Sequence, residues 1–162
     1  MRIEMDKARE FLNLSNEESE SVSSIKFHPH RQWIERSFYE DFSIRGIKVD
    51  RIEPGFISTT FKVPPRLADR NGKLATGAIA NLVDEGGALV AQAEGVSILV
   101  SVDMSISFLS TANVNDELEI TARILGRKGS YAGTIVLVKN KATGELIAEG
   151  RHSLFGKHKS KM

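Results

Sequence analysis

The chain has 162 residues, which predicts one domain with a hydrophobic core of ordinary size. Its 22 basic and 21 acidic residues give a formal net charge of +1, so no overall field favours binding to nucleic acid or to an anionic membrane. The chain contains no cysteine, which excludes disulfides, thiolate nucleophiles and cysteine zinc sites, and any chemistry has to come from oxygen and nitrogen groups.

Both ends of the chain bear on its location. Residues 1–20 carry acidic side chains where a signal or transit peptide is basic and then apolar, and no apolar run reaches the ~20 residues that cross a bilayer. We therefore expect a soluble protein that is not secreted, in the cytoplasm or the peroxisome. The peroxisomal alternative depends on Ser160-Lys161-Met162, which differs by one residue from the Ser-Lys-Leu address, while a frayed basic tail is the other interpretation.

The first part of the chain is acidic and rich in serine, and it offers only short amphipathic turns. We predict residues 1–30 to be an N-terminal extension, partly disordered or with a short helix, followed by the main domain at 31–157 and a basic tail at 158–162. Helical spacing between Arg31 and Phe42 predicts a short helix on the rim of the core. His28 and His30 have no third ligand nearby in the sequence, so we expect no metal site there.

The pattern then changes to that of strands. An extended run from Ile44 to Ile52, the turn Pro54-Gly55 and the alternating residues 56–63 predict a β-hairpin. Pro64-Pro65 ends the hairpin, and residues 66–73 form a polar loop that leads into a helix.

The strongest helical pattern of the chain spans residues 73–95. Its apolar side chains recur every three or four residues and form one stripe: Ile79, Leu82, Val83, Leu89 and Val90. Asp84 follows this stripe directly. Gly86 and Gly87 lie in the middle of the helix, where each costs about 1 kcal/mol relative to alanine. Two glycines there predict that the helix backbone packs closely against a sheet.

Every even-numbered residue from Ile98 to Phe108 is apolar, and most of the odd-numbered residues between 97 and 107 are polar, which predicts a long, half-buried antiparallel strand with Ser101 on its polar face. Further strands are predicted at 117–125, 131–140 and 145–155, with turns at 126–129 and 141–144. Short connections favour antiparallel neighbours, so these strands predict a four-stranded meander. The fold class is therefore α+β, with a long central helix packed on one curved antiparallel sheet of about six strands.

Three phrases of the chain follow one another in order: GKLATGAIANLVDEGGALV at 72–90, VSVDMSISFLS at 100–110 and NKATGELIAEGRHS at 140–153. Together they resemble the hotdog-fold acyl-coenzyme A thioesterases of the phenylacetic-acid-pathway type, and the resemblance covers roughly residues 45–156. It implies a helix wrapped by a sheet, pairing of the long strand with its twin in a second subunit, and a homodimer or homotetramer with active sites between subunits. It also implies an acyl-coenzyme A substrate, a role in lipid metabolism, and neither a cofactor nor a metal.

The resemblance implies roles for four residues. Asp84 activates a water or attacks the thioester carbonyl itself, the backbone N–H groups near Thr76 and Gly77 hold the carbonyl oxygen, and Ser101 helps to orient the water or the carboxylate. N–H groups at a helix start can stabilise an oxyanion, and we expect a carboxylate two turns along the same helix to lie beside the bound carbonyl. The alternative for Asp84 is a solvated acid on the outer face of the helix, beside Glu85.

The start of the helix departs from the family pattern, because Ala75-Thr76-Gly77 stands where members commonly carry His-Gly-Gly. Family members often carry an asparagine in the preceding loop. Aligned without gaps, Asp69 occupies the position of that asparagine, whereas Asn71 occupies it only if the alignment is shifted by two residues. Coenzyme A carries phosphates, so basic residues at strand ends are candidate contacts: Arg127, Lys128 and Arg151, with Lys157 as a further one.

Two other functions stay open at this point. The altered helix start favours a non-catalytic hotdog protein that binds acyl-coenzyme A or a protein partner. A hydratase on the same fold is the third hypothesis. Those enzymes resemble one another in a site of aspartate and histidine, and no histidine lies near Asp84 in the sequence.

Overall fold

A computed structural model of the chain describes residues 2–26 and 37–158. The chain divides into two compact units, residues 1–41 and 42–162. Three sequence predictions lie outside the described residues: the pair His28 and His30, the part of the predicted helix at 31–36, and the C-terminal Ser160-Lys161-Met162.

The first unit contains two helices, α1 at Arg2–Leu12 and α2 at Asn16–Ser23. A capping box starts α2, because Ser15 accepts a hydrogen bond from the N–H of Glu18 while the Glu18 carboxylate accepts one from the N–H of Ser15. The amphipathic turns expected from the sequence are thus two complete helices. Several of their apolar side chains are exposed: Met5, Phe11, Leu12 and Val22.

A third helix, α3, spans Phe38–Ile44. A second capping box sets its start, since Ser37 accepts a hydrogen bond from the N–H of Glu40 and the Glu40 carboxylate accepts one from the N–H of Ser37. The sequence prediction that Ile44 begins the first extended run is therefore wrong, because this residue closes α3. The first strand starts four residues later, at Lys48.

Six strands of the second unit form one antiparallel sheet with the long helix α4, Thr76–Ala93, packed on one face. The strands are β1 at Lys48–Glu53, β2 at Phe56–Lys62, β3 at Val96–Phe108, β4 at Glu117–Lys128, β5 at Tyr131–Asn140 and β6 at Leu146–His158. Their order across the sheet is β1-β2-β4-β5-β6-β3, and every neighbouring pair is antiparallel. This architecture confirms the predicted fold class.

The four-stranded meander predicted from the sequence is wrong in one respect. Only β4, β5 and β6 follow one another in the sheet, while β3 lies at the far edge beside β6. The reason is the connection after β3, residues 109–116, which is too long for a tight hairpin turn and is hydrogen-bonded to the loop before α4 instead. There the N–H of Leu74 donates to the carbonyl of Ala112, and the N–H of Val114 donates to the carbonyl of Gly72.

The predicted turn at 126–129 is also displaced, because β4 continues to Lys128. The pairing register with β5 shifts between Ile124 and Gly126, so Gly126 lies at a β-bulge within the strand. A glycine inside a strand pattern marks a bulge as readily as a turn, and the pattern alone did not distinguish the two.

The core lies between α4 and the inner face of the sheet. The helix contributes Ile79, Leu82, Val83 and Val90, all buried, and the sheet contributes buried residues of β2, β4, β5 and β6, among them Phe61, Leu118, Val136 and Ala148. A Cβ added at Gly86 would lie 3.1 Å from Cγ1 of Val136, and one at Gly87 would lie 2.6 Å from Nδ1 of His152. The prediction that both glycines give the sheet clearance is confirmed.

The two edges of the sheet differ in character. Edge strand β1 has six residues, four of them charged, and a register shift between Val49 and Arg51, which are features that protect an edge from further pairing. Edge strand β3 has 13 residues and exposes the apolar side chains of Val100, Val102 and Met104. The half-buried strand expected from the sequence is thus largely exposed in a single chain. Among the helices in the described ranges, none is both long enough and apolar enough to span a membrane.

Candidate active site

Asp84 follows the buried pair Leu82 and Val83 on α4, and its side chain is 43% exposed. The hydroxyl of Ser101 on β3 donates to Oδ1 of Asp84 at 3.0 Å, and Nε2 of His152 on β6 lies 3.2 Å from the same oxygen. The carboxylate therefore contacts the two strands at the β3 edge of the sheet. The alternative of a solvated acid on the outer face of the helix does not agree with these contacts.

A β-bulge brings Ser101 to Asp84. In the pairing of β3 with β6, Ser101 lies opposite Leu154 and Met104 lies opposite His152, so three steps along β3 match two along β6. The extra residue reverses the alternation, and Ser101 shares the helix-facing side of the sheet with Met104. The sequence prediction that the serines and the apolar residues occupy opposite faces throughout β3 is therefore wrong, and this error concerns the residue that contacts the carboxylate.

His152 is the residue of this site that the sequence analysis missed. It is fully buried under α4, where the absence of a side chain at Gly87 leaves room for the imidazole, and Thr134 on the neighbouring strand donates to its main-chain carbonyl at 2.9 Å. The available signal was the inward-facing series Ala148, Gly150, His152 and Leu154 on β6, in which a histidine occupies a core position.

Burial lowers the pKa of His152 below its ordinary value of 6.5, and the nearby negative charge of Asp84 opposes that shift. The imidazole is therefore neutral near pH 7. Neither ring nitrogen makes a hydrogen bond within the described part of the chain. Nε2 nevertheless lies 3.2 Å from Oδ1 of Asp84, a separation at which a small rotation of either group forms the bond.

The start of α4 offers free backbone donors. The carbonyl of Ala75 accepts hydrogen bonds from the N–H groups of Ala78 and Ile79, and Ala75 supplies no side-chain cap. The N–H groups of Thr76 and Gly77, both exposed, have no recorded partner within residues 2–26 and 37–158. This first turn can donate to an anion or to a polarised carbonyl oxygen.

The helix separates these donors from the carboxylate. Thr76 and Asp84 belong to the same continuous α-helix, eight residues apart, which corresponds to about 12 Å along its axis. One thioester carbonyl cannot contact both the N–H group of Thr76 and the carboxylate of Asp84 in the same chain. The expectation that a carbonyl bound at the start of the helix lies beside Asp84 of the same chain is therefore wrong.

The loop before the helix uses Asp69 for its own structure. Oδ1 of Asp69 accepts hydrogen bonds from the N–H groups of Asn71 at 2.8 Å and Lys73 at 2.9 Å, which folds the loop into a compact turn. Asn71 is exposed at the tip of this turn. The carboxylate of Asp69 is thus used within the loop, and the side chain of Asn71 lies at the surface.

The basic candidates do not converge on Asp84. Nη1 of Arg127 lies 3.2 Å from the carbonyl of Glu94 and 3.9 Å from its carboxylate, so Arg127 binds the C-terminal end of α4. Lys128 is exposed at the end of β4, opposite Tyr131. Arg151 is exposed and adjacent in sequence to the inward-facing His152, which puts it on the outer face of β6. The side chain of Lys157 lies outside the described part of the structure.

The known proteins that this chain resembles include thioesterases. The model of the thioesterase superfamily matches residues 71–147. The human acyl-coenzyme A thioesterase 13 is 39% identical over 102 residues, which cover 62% of this chain and 72% of the human protein.

Solved structures agree with this match. Zebrafish thioesterase superfamily member 2 is 34% identical, with a TM-score of 0.64 over 70% of this chain and 80% of the zebrafish chain. A hypothetical thioesterase of Streptococcus pneumoniae, solved with coenzyme A, has a TM-score of 0.69 at 19% identity over 75% of this chain and 98% of its own, which is evidence for the fold alone.

Proposed function

We propose that this chain, which belongs to the hotdog-fold thioesterase superfamily, hydrolyses acyl-coenzyme A thioesters to free acids and coenzyme A. The observation that carries the proposal is the partly exposed carboxylate of Asp84, held by Ser101 at the β3 edge of the sheet. The relatives named acyl-coenzyme A thioesterase 13 support the substrate class. The narrower assignment to the phenylacetic-acid-pathway type stays a prediction, as do the role in lipid metabolism and the location in the cytoplasm or the peroxisome.

The proposed reaction uses Asp84 as general base. The carboxylate takes a proton from a water whose oxygen attacks the thioester carbonyl carbon, and the carbonyl electrons move to the oxygen held by the N–H groups of Thr76 and Gly77. The C–S bond then breaks, and the thiolate of coenzyme A leaves and takes up a proton. Direct attack by Asp84 is the alternative. It passes through a mixed anhydride and transfers ¹⁸O from labelled water to the carboxylate during repeated turnover.

The site requires two chains in this proposal. The ~12 Å between Thr76 and Asp84 means that the oxyanion donors of one chain serve the carboxylate of another. The long β3 edge, with Val100, Val102 and Met104 exposed, supplies a surface on which a second copy can pair and cover the site. The proposed assembly is a homodimer at least, and a tetramer is built from two such dimers.

Three basic residues and one loop residue are the candidates for contacts with coenzyme A. Arg127, Lys128 and Arg151 stay candidates for its phosphates, although Arg127 is bound to Glu94 within one chain. Asn71 stays the candidate for the loop contact, because its side chain is exposed while the carboxylate of Asp69 is used within the loop.

The structure weakens the hydratase hypothesis on a different ground from the sequence. A histidine does lie beside Asp84, but His152 is fully buried and cannot reach an enoyl group in a cleft. A non-catalytic binding protein is still supported by Ala75-Thr76-Gly77 at the helix start, and the experiment below separates it from an enzyme.

The test is thiol release from a panel of short, long and aromatic acyl-coenzyme A thioesters by the wild-type chain and by Asp84→Asn. We expect the variant to lose roughly 10²- to 10⁴-fold in kcat, because the amide cannot accept a proton, and to unfold at a similar denaturant concentration because the side chain is 43% exposed. Turnover by the variant near the wild-type rate contradicts the role of Asp84. Binding without hydrolysis for every substrate favours the non-catalytic protein.

A further inference from the structure

The contact between His152 and Asp84 has no part in the reaction as proposed above, yet it lies directly behind the reacting carboxylate. Nε2 of the fully buried imidazole is 3.2 Å from Oδ1 of Asp84, the oxygen that also accepts the hydrogen bond from Ser101. The Ser101 hydroxyl and the His152 ring thus both lie against one oxygen of the carboxylate.

The surroundings of His152 restrict its ring. A Cβ added at Gly87 would lie 2.6 Å from Nδ1 and 2.7 Å from Oγ1 of Thr134, so helix and ring approach as closely as a glycine allows. Thr134 donates to the His152 carbonyl from the strand on one side, and Met104 lies opposite on the strand on the other side. Of these neighbours only Asp84 is titratable, and it is the polar group that Nε2 faces.

The protonation state decides what such a ring can do. Burial keeps the imidazole neutral near pH 7, so one nitrogen carries a proton and the other accepts. A proton on Nε2 gives the Asp84 carboxylate a donor, whereas a proton on Nδ1 sets two acceptors against each other at 3.2 Å. The favourable arrangement is the tautomer protonated on Nε2.

We infer that His152 is a positioning residue for the proposed thioesterase reaction: its Nε2–H donates to Oδ1 of Asp84 and, together with Ser101, turns Oδ2 toward the substrate cleft. This inference depends on the proposed function for its kinetic consequence, but the hydrogen bond itself does not. It requires a small rotation of the ring or the carboxylate that aligns the N–H with Oδ1, because Nε2 makes no hydrogen bond within the described part of the chain.

The kinetic test compares His152→Gln with His152→Met, two side chains of similar size and shape. The amide nitrogen of glutamine can occupy the place of Nε2 and donate to Asp84, while methionine has no donor. We expect the methionine variant to lose roughly 10- to 100-fold in kcat with KM changed less than threefold, and the glutamine variant to recover most of that loss. Equal loss in both variants, or wild-type kcat in the methionine variant, overturns the inference.

A second measurement does not depend on activity. Long-range ¹H–¹⁵N spectra of the imidazole identify the tautomer of His152, and the titration of its ring proton gives its pKa in the wild type and in Asp84→Asn. We expect the proton on Nε2, and a lower pKa of His152 in the variant because the carboxylate that raises it is gone. A proton on Nδ1, or an unchanged pKa, refutes the hydrogen bond. If the wild type hydrolyses nothing, the proposed function fails while these spectra still decide the contact.

Discussion

At the scale of single residues, the site depends on a carboxylate with one side toward solvent and the other against the core. Ser101 and His152 both approach Oδ1 of Asp84, at 3.0 and 3.2 Å, while the side chain is 43% exposed. A base must be accessible to its water and yet held in one orientation, and this arrangement meets both needs. The fully buried imidazole also links the site to the stability of the fold.

That link predicts a dependence of stability on pH. The pKa of His152 is lowered in the folded chain, so below its ordinary value of 6.5 the unfolded chain binds more protons than the folded one. The free energy of unfolding therefore falls as the pH drops from ~6.5 toward the folded pKa, by at most about 1.4 kcal/mol per pH unit from this residue. Urea unfolding of the wild type and of His152→Gln between pH 7.5 and pH 5 measures it.

The glutamine variant is the matched control, because it retains every other titrating group. We expect the stability of the wild type to decline more steeply than that of the variant over this range. Parallel curves show that burial of the imidazole does not perturb its pKa.

At the scale of elements, α4 packs as closely as it does because it carries glycines on its sheet-facing side. A Cβ at Gly87 would meet Nδ1 of His152 and Oγ1 of Thr134 at 2.6 and 2.7 Å, and both partners are buried. A Cβ at Gly86 would meet Val136 at 3.1 Å, and one at Gly77 would meet nothing within 4 Å. The three positions form a graded series on one helix.

Gly87→Ala is therefore expected to destabilise the chain by about 1–3 kcal/mol through overpacking, less any gain in helix propensity. Gly77→Ala gains helix propensity without a clash and should be neutral or stabilising. The change in stability of Gly86→Ala should lie between those of the other two variants. Guanidinium unfolding monitored by circular dichroism measures the series. A Gly87→Ala variant as stable as Gly77→Ala shows that the ring and Thr134 can yield, contrary to close packing.

A single bulge in β3 determines which side chain reaches Asp84. One extra residue between Ser101 and Asp103 turns Ser101 toward the helix while Met104 keeps its inward direction. Regular alternation throughout the strand puts this serine on the outer face, away from Asp84. The bulge is therefore the element-level feature that supplies the hydroxyl donor.

At the scale of the whole molecule, the sheet has one protected edge and one open edge. Strand β1 is short, charged and bulged, whereas β3 is long and exposes Val100, Val102 and Met104. In the proposed assembly the open edge pairs with a second copy, and each site combines Thr76 of one chain with Asp84 of the other.

Complementation tests that combination. Asp84→Asn removes the base, and Thr76→Pro removes one oxyanion donor at a position where proline fits, because Ala75 before it is already extended with φ −62° and ψ 141°. Each variant alone should lose at least ~10²-fold in kcat. Co-refolded in equal amounts, half of the dimers are mixed and one of their two sites is intact, so about a quarter of the wild-type activity should return.

The control mixes Asp84→Asn with a chain that carries both substitutions, which leaves every site damaged and should restore nothing. Activity in the first mixture no higher than in the separate variants contradicts a site shared between chains.

The sequence by itself determined the long helix, most of the strands and the fold class. The periodicity of residues 76–93, with Asp84 beside the buried stripe and two glycines after it, is local, and local spacing suffices to specify a helix and its faces. The alternation of β2 and β5 was likewise sufficient for strands. The phrases around Asp84 and Ser101 indicated the hotdog fold.

Only the tertiary structure decided how these elements meet. It moved β3 to the edge beside β6, reversed the direction of Ser101 through a bulge, and brought His152 to Asp84 from 68 residues away in the chain. Strand order, register and burial arise from contacts between distant segments, which no local periodicity encodes. The helix geometry likewise showed that Thr76 and Asp84 of one chain lie too far apart to share a carbonyl.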